Sequence, residues 1–280
     1  MASVRTHSAK GALSVLALDS PHSGVDYPPD FQPAVPLPDL RRAEDTHVED
    51  LFNFAPELGI PLVAATFPRS YIDANRAVDE IDPELLDGVW SGPVRDSAKT
   101  RLGKGLVWRL LDDGRPIYAR KLTPQEVQRR IDTCWHPYHG QVRAMLDATY
   151  AAHGQVLHLN CHSMPSVSDR LTTDRPGLVH PDIVLGDRDG TSADPRITAW
   201  LRQAFESRGY SCWVNDPYKG VELVRAYSDP ARGRHAIQLE INRRLYMDET
   251  TLVPHAGFAR LREDLRGVLT ALSAFVAARA

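Results

Sequence analysis

Short apolar runs of strand length alternate along this chain with longer stretches of helical period. That alternation restricts it to the α/β class, in which helices cover a central sheet. Residues 14–21 (SVLALDSP) read as a buried strand that runs into a Pro-His-Ser-Gly turn. Residues 61–67 (PLVAATF) and 70–76 (SYIDANR) read as two short strands. Residues 155–162 (QVLHLNCH), 182–187 (DIVLGD), 211–216 (SCWVND) and 235–242 (HAIQLEIN) read as four more. Residues 44–58 form a helix candidate with Val48, Leu51, Phe52 and Ala55 on one apolar stripe. The longest candidate, 123–153, opens with Thr123-Pro124 and has Glu126 at capping-box distance. His136-Pro137 should kink or divide it. Residues 195–208 and 256–278 are amphipathic helices. Residues 77–115, rich in Gly, Pro and Asp, read as a surface excursion suited to a lid. No repeat or linker divides the sequence, so residues 1–280 read as a single domain with a core of about 12–279.

Charge narrows the function. The 33 Lys and Arg against 36 Asp and Glu give a net charge of −3, which argues against a nucleic-acid partner. No apolar run approaches the ~20 residues that span a bilayer, and the N-terminus lacks a signal-peptide pattern. Cys134, Cys161 and Cys212 are odd in number and fall in no C-x-x-C pair, so a reducing, cytoplasmic setting is expected. The spacing says nothing about oligomeric state.

Chemistry gathers at the strand ends. The first strand delivers His22, the fourth His162, and residues 235–242 carry Glu240. In an α/β sheet such ends converge on one rim, where ligands bind. Two imidazoles and a carboxylate suit a catalytic zinc with one open position. Asp45 and Glu49, four apart at a helix start, could each supply the carboxylate. A single strand-end histidine more often satisfies a buried hydrogen bond, and no compact zinc signature such as H-E-x-x-H occurs. Glu240 interrupts an apolar strand, so it is either part of a buried ion pair or functional. A general base for water would sit there, partly desolvated. Arg69, Asn75 and Arg76 in PRSYIDANR suit bidentate recognition of a carboxylate, or else Asp73 simply pairs with an arginine. Arg243 after Glu240 offers another clamp, and NDPYKG presents Tyr218 and Lys219 on a loop. His136, His139, His158 and Cys161 read as packing residues. No G-x-S-x-G or P-loop is present.

Taken together, LDSPHSG, the D-x-x-x-E at Asp45, FPRSYIDANR, HPYHG, LNCHSMPS, DIVLGDRDGTS, NDPYKG and HAIQLEINRRLYMDE occur in this order between residues 18 and 249. In this the sequence resembles the N-formylglutamate amidohydrolase (N-formylglutamate deformylase) family, itself distantly similar to zinc carboxypeptidases and aspartoacylase-like deacylases. The resemblance implies a three-layer α/β/α fold with a central mixed sheet. It also implies one divalent metal ion, zinc, on His22, His162 and Asp45 or Glu49, with Glu240 as catalytic residue. Arg69, Asn75, Arg76, Tyr218, Lys219 and Arg243 would contact a small anionic N-acyl amino acid. The implied reaction is hydrolysis of N-formyl-L-glutamate to formate and L-glutamate, as in histidine degradation. A hydrolase of another N-acyl amino acid, or a non-catalytic metal- or amino-acid-binding protein, are the alternatives. Val221 follows Gly220 where family members often have a second glycine, which touches the identity of the substrate more than the reaction.

Overall fold

The computed structural model describes residues 2–168 and 175–279. Seven strands form one mixed sheet: β1 (Val4–His7), β2 (Leu16–Ser20), β3 (Leu62–Ala65), β4 (Val156–Met164), β5 (Ile183–Gly186), β6 (Cys212–Val214) and β7 (Arg234–Asn242), in the order β1-β3-β2-β4-β7-β5-β6. The central strands β3, β2, β4 and β7 are parallel. β1 runs antiparallel to β3, and β5 antiparallel to β7. Among the described residues eight α-helices accompany them: α1 (Leu37–Arg41), α2 (Val48–Phe52), α3 (Ala98–Arg101), α4 (Pro124–Arg130), α5 (His136–His153), α6 (Pro195–Glu206), α7 (Glu222–Tyr227) and α8 (Gly257–Ala277). No helix among the described residues is long and apolar enough to cross a membrane.

The period-2 pattern of the strands divides the interior into two layers. Leu16, Leu18, Leu157, Leu159, Cys161, Ile237, Leu239 and Ile241 face one side. There α2, α6 and α8 bury Val48, Leu51, Ile197, Leu201, Leu265 and Leu272 against them. Ala17, Val63 and Val156 face the other side, under Val127 of α4 and Tyr138, Val142 and Leu146 of α5. This is the expected three-layer α/β/α arrangement.

Several elements differ from the sequence reading, each for a physical reason. Residues 44–58 hold two short helical pieces, α2 and a 3₁₀ turn over Ala55–Leu58, because Pro56 interrupts the pattern and Gly59 takes the left-handed conformation (φ +74°). Residues 70–76 form no strand. Asp73 Oδ1 accepts the Asn75 N–H at 2.9 Å, and turns at Pro68–Tyr71 and Asp73–Arg76 coil the segment beneath the sheet rim. The 77–115 excursion is not a loose cover. It buries Ile81, Leu85, Leu106, Val107 and Trp108 in the second layer and is bonded to the Asp73 loop through Asp73 N–H to Leu106 O, 2.7 Å. The long 123–153 candidate is two α-helices joined by a π turn over Ile131–Trp135, immediately before Pro137, whose ring nitrogen has no hydrogen to donate. Its start carries the expected Thr123/Glu126 capping box. β1 gives no sequence signal, since only two of its residues are partly buried and it lies at the sheet edge.

The helix-covered second face also carries a buried polar row. Asp19 of β2, His158, Asn160 and His162 of β4, and Gln238 and Glu240 of β7 occupy strand positions of the same parity, and register pairs Asp19 with Asn160, Asn160 with Gln238 and His162 with Glu240. Asp19 Oδ1 accepts from His158 Nε2 (2.7 Å) and Asn160 Nδ2 (2.9 Å), and Oδ2 accepts from the Tyr138 hydroxyl (2.6 Å). A buried carboxylate persists only when its lone pairs are so occupied. Tyr138→Phe removes one of these donors from a site closed to water and should lower the unfolding free energy by about 1–3 kcal/mol in urea titration. A change under ~0.5 kcal/mol would show that this bond adds no stability.

Candidate functional site

Parallel strands bring their C-terminal ends to one rim. From β2 the chain moves to β3 on one side, and later to β4 on the other, which makes the end of β2 a topological switch point. His22 lies just past that end. The Pro21–Gly24 turn that places it passes so close to β3 that a Cβ on Gly24 would lie 2.4 Å from the Phe67 carbonyl oxygen, so this position admits glycine alone. Asp45 N–H donates to the His22 carbonyl at 3.0 Å, which anchors the acid beside the imidazole. His162 arrives near the end of β4.

Three atoms meet there. His162 Nδ1 lies 2.8 Å from Asp45 Oδ2, His22 Nδ1 lies 3.4 Å from the same oxygen, and the two Nδ1 atoms are 3.1 Å apart. All three residues are buried. The far nitrogens decide the protonation. His22 Nε2 donates to Asp73 Oδ1 at 2.6 Å, and His162 Nε2 lies 2.8 Å from Asn160 Oδ1, which Asp19 orients from behind. With protons on both Nε2 atoms, both Nδ1 atoms are lone-pair donors turned toward each other and toward a carboxylate. Ligand atoms around a tetrahedral zinc with bonds of ~2.0–2.1 Å lie ~3.3 Å apart, close to the edges of this triangle. The donor set therefore fits a divalent cation, and the carboxylate behind His22 is the partner such a ligand commonly has.

The surrounding charges hold this geometry. Burial opposes ionisation of Asp45, but the adjoining imidazoles of His162 and His22 and the charge of Arg69 keep its carboxyl well below the usual range. Arg243 Nη2 donates to Asp45 Oδ1 at 3.1 Å and to the Glu44 carbonyl at 2.6 Å, Nη1 to the Arg42 carbonyl, and Nε to Ser163 Oγ. Asp73 is likewise held low: His22, Arg76 and Arg69 outweigh the desolvation that would raise it. Its Oδ2 also accepts from Arg69 Nη2 (3.1 Å) and Trp108 Nε1 (3.2 Å). Glu240 behaves oppositely. Burial pushes its carboxyl up, the neighbouring His162 and Arg69 oppose that rise, Asp45 adds to it, and Gln238 Nε2 donates to Oε1 at 2.7 Å.

His22, Asp45, His162 and Glu240 line a cavity of about 440 Å³ together with Arg69, Asn75, Arg76, Lys99, Lys104, Trp108, Tyr218, Gln238 and Arg243. Volumes of this order suit small ligands. Asn75 reaches the site with its Oδ1 fixed by Leu223 N–H at 2.9 Å and its Nδ2 beside His162 and Asn160. Tyr218 packs edge-on against His180, with ring centroids 5.5 Å apart.

Two expected site residues lie elsewhere. Glu49 binds Arg5 and His7, both at 2.7 Å, and does not reach the cluster. Helix α2 begins only at Val48, after His47 in the left-handed conformation, so Asp45 and Glu49 share no helical face and turn in different directions. Lys219 is exposed and pairs with Asp189 at 2.9 Å, because its backbone packs on the end of β5, where Gly220 (φ +91°) turns the chain. Asn160, Gln238, Lys99, Lys104 and Trp108 were not singled out from sequence, and Asp73 was read there only as the pairing partner of an arginine, which it is, through Arg69 at 3.1 Å. For the β4 and β7 members, the parity of polar residues within apolar strands was the available signal.

Known proteins resemble this chain over most of its length. The family model described as N-formylglutamate amidohydrolase matches residues 14–247. An N-formylglutamate deformylase of Pseudomonas putida is 34% identical over 249 residues, 86% of this chain and 84% of that protein. The protein of that name in Pseudomonas aeruginosa is 32% identical over 262 residues, 92% and 90% of the two chains. The crystal structure of N-formylglutamate amidohydrolase from Ralstonia eutropha JMP134 superposes with a TM-score of 0.93 at 42% identity, covering 100% of both chains. A gene product of Agrobacterium tumefaciens, 17% identical, shares the fold with a TM-score of 0.72 over 99% of this chain and 95% of that one. The chain belongs to the N-formylglutamate amidohydrolase family.

Proposed function

We propose that this enzyme hydrolyses N-formyl-L-glutamate to formate and L-glutamate with one divalent metal ion, zinc, in a single catalytic domain, as a step of histidine degradation in the cytoplasm. The observation that carries this reading is the convergence of His22 Nδ1, His162 Nδ1 and Asp45 Oδ2 in a cation-lined cavity beside Glu240. The substrate named for its Pseudomonas relatives gives that cavity its occupant. The buried free thiols of Cys134, Cys161 and Cys212 suit a reducing compartment.

His22, Asp45 and His162 would hold the metal, and Asp73 and Asn160 would fix the two imidazoles behind it. When bound, such an ion polarises a carbonyl and acidifies water. Glu240 accepts the proton of the attacking water and returns it to the departing nitrogen, which leaves poorly as an amide anion. Its raised affinity for a proton suits both duties. Gln238 holds Oε1 and so fixes which carboxylate edge faces the cavity. Arg69 and Arg76 stand nearest the loop that carries Asp73, and they present positive charge to the substrate's α-carboxylate, two bonds from the scissile nitrogen. Trp108 and Tyr218 wall the cavity and limit water around the reacting groups. Arg243 acts through Asp45, since its donors are already bound to that carboxylate and to neighbouring oxygens.

Exhaustive chelation should abolish formate release from N-formylglutamate, and added zinc should restore it. Formate release that survives complete metal removal would sink the metal reading. Glu240→Gln should keep its metal by elemental analysis while turnover falls ~10²–10⁴-fold. Asp73→Asn should weaken metal binding ~10–100-fold in competition with a chromophoric chelator, because His22 then faces a neutral amide in place of the carboxylate that orients it and raises its basicity. Unchanged affinity would mean that Asp73 serves only the arginines.

A further inference from the structure

The cavity has more cationic side chains than its own carboxylates and carbonyls occupy. Arg243 is fully engaged around Asp45. Arg69 is bound to Asp73, with Asp45 3.8 Å away. Arg76 donates to the Lys104 carbonyl (3.1 Å) and the Asn75 carbonyl (3.0 Å) and lies 3.8 Å from Asp73. Lys104 pairs with Asp112, and Arg115 with Asp39 and Asp113. Lys99 differs. It is half-buried, lines the cavity, and makes no ion pair with any of the described residues. The charges around it are mostly of its own sign. Burial, with the charges of Arg76, Lys104 and Arg69 and against that of Asp73, lowers the pKa of its ammonium to about 8. A half-buried cation among cations is a place completed by an anion.

Its mounting is rigid. Lys99 sits on the short helix α3, whose start is closed by a reciprocal Ser97/Thr100 capping box. Its carbonyl accepts Lys104 N–H at 2.8 Å, and the same excursion is tied to the Asp73 loop at Leu106. The lining of one cavity thus carries both the His22–Asp45–His162 cluster and Lys99. An N-acyl amino acid can meet both when its acyl carbon lies at the cluster and its side chain extends away from it.

We propose that Lys99 receives the side-chain carboxylate of the substrate and thereby selects acidic N-acyl amino acids over neutral ones. This rests on the proposed hydrolysis of N-formylglutamate and assigns its distal carboxylate a partner. Arg42, at the exposed rim, is the competing cation, but water screens it and it has no comparable burial.

The test compares kcat/KM for N-formyl-L-glutamate and for its isostere with a neutral side chain, N-formyl-L-glutamine, in the wild type, Lys99→Met, Lys99→Arg and Arg42→Met. The Glu/Gln preference should fall ~30-fold or more in Lys99→Met, through KM for the dianion, and Lys99→Arg should recover most of it. Equal losses on both substrates in Lys99→Met would assign it a structural role and overturn the proposal. So would an unchanged preference, or a collapse in Arg42→Met with Lys99→Met unaffected. Failure of the underlying reading is distinguishable: a metal-loaded wild type that releases no formate from N-formylglutamate overturns both, whereas an active wild type whose preference survives Lys99→Met overturns only the role of Lys99.

Discussion

Three proton-accepting atoms buried against one another repel unless a positive charge lies among them, and His22 Nδ1, His162 Nδ1 and Asp45 Oδ2 form such a group. Much of the surrounding structure can be understood as enforcing that arrangement. Asp73 and Asn160 take up the outer imidazole nitrogens, so the inner ones carry lone pairs. Arg243 and Arg69 neutralise the outward side of Asp45, and Asp19, bound by Tyr138 and His158, fixes the amide of Asn160. A chain of hydrogen bonds therefore leads from helix α5, through the sheet, to the site.

That chain explains why the second face of the sheet is polar along one diagonal while the first is hydrocarbon. Every carboxylate and amide on it requires a partner, which comes from the neighbouring strand for Asp19 (His158, Asn160), from helix α5 (Tyr138), or from two residues along the same strand (Gln238 to Glu240, Asn160 beside His162). The 77–115 excursion completes the enclosure. It contributes Trp108 to Asp73 and Lys99 and Lys104 to the cavity lining, so the segment that looks irregular in sequence is part of the binding wall.

The strand ends could be read from sequence because a buried strand that terminates in His or carries Glu violates the apolar pattern, and in an α/β sheet such violations collect on one rim. The choice between Asp45 and Glu49 was not legible, because it turns on where helix α2 starts. The left-handed residue His47 separates the two acids in direction as no helical wheel could indicate. Asp73 stood in a conspicuous motif, yet its link to His22, fifty-one residues away, depends on residues 70–76 coiling as turns instead of extending as a strand. Lys219 looked suited to substrate contact because of its neighbours in the chain, but the backbone packing at Gly220 turned it to solvent.

The sequence by itself determined the class of fold, the strands of the sheet core and the kinds of side chain available for chemistry, since periodicity and residue type are local properties. The tertiary structure decided which acid meets the two histidines, which nitrogen of each faces inward, and which half-buried cation of the cavity makes no ion pair among the described residues. Those outcomes depend on directions and distances among residues up to two hundred positions apart, and only the packed sheet and its covering layers fix them.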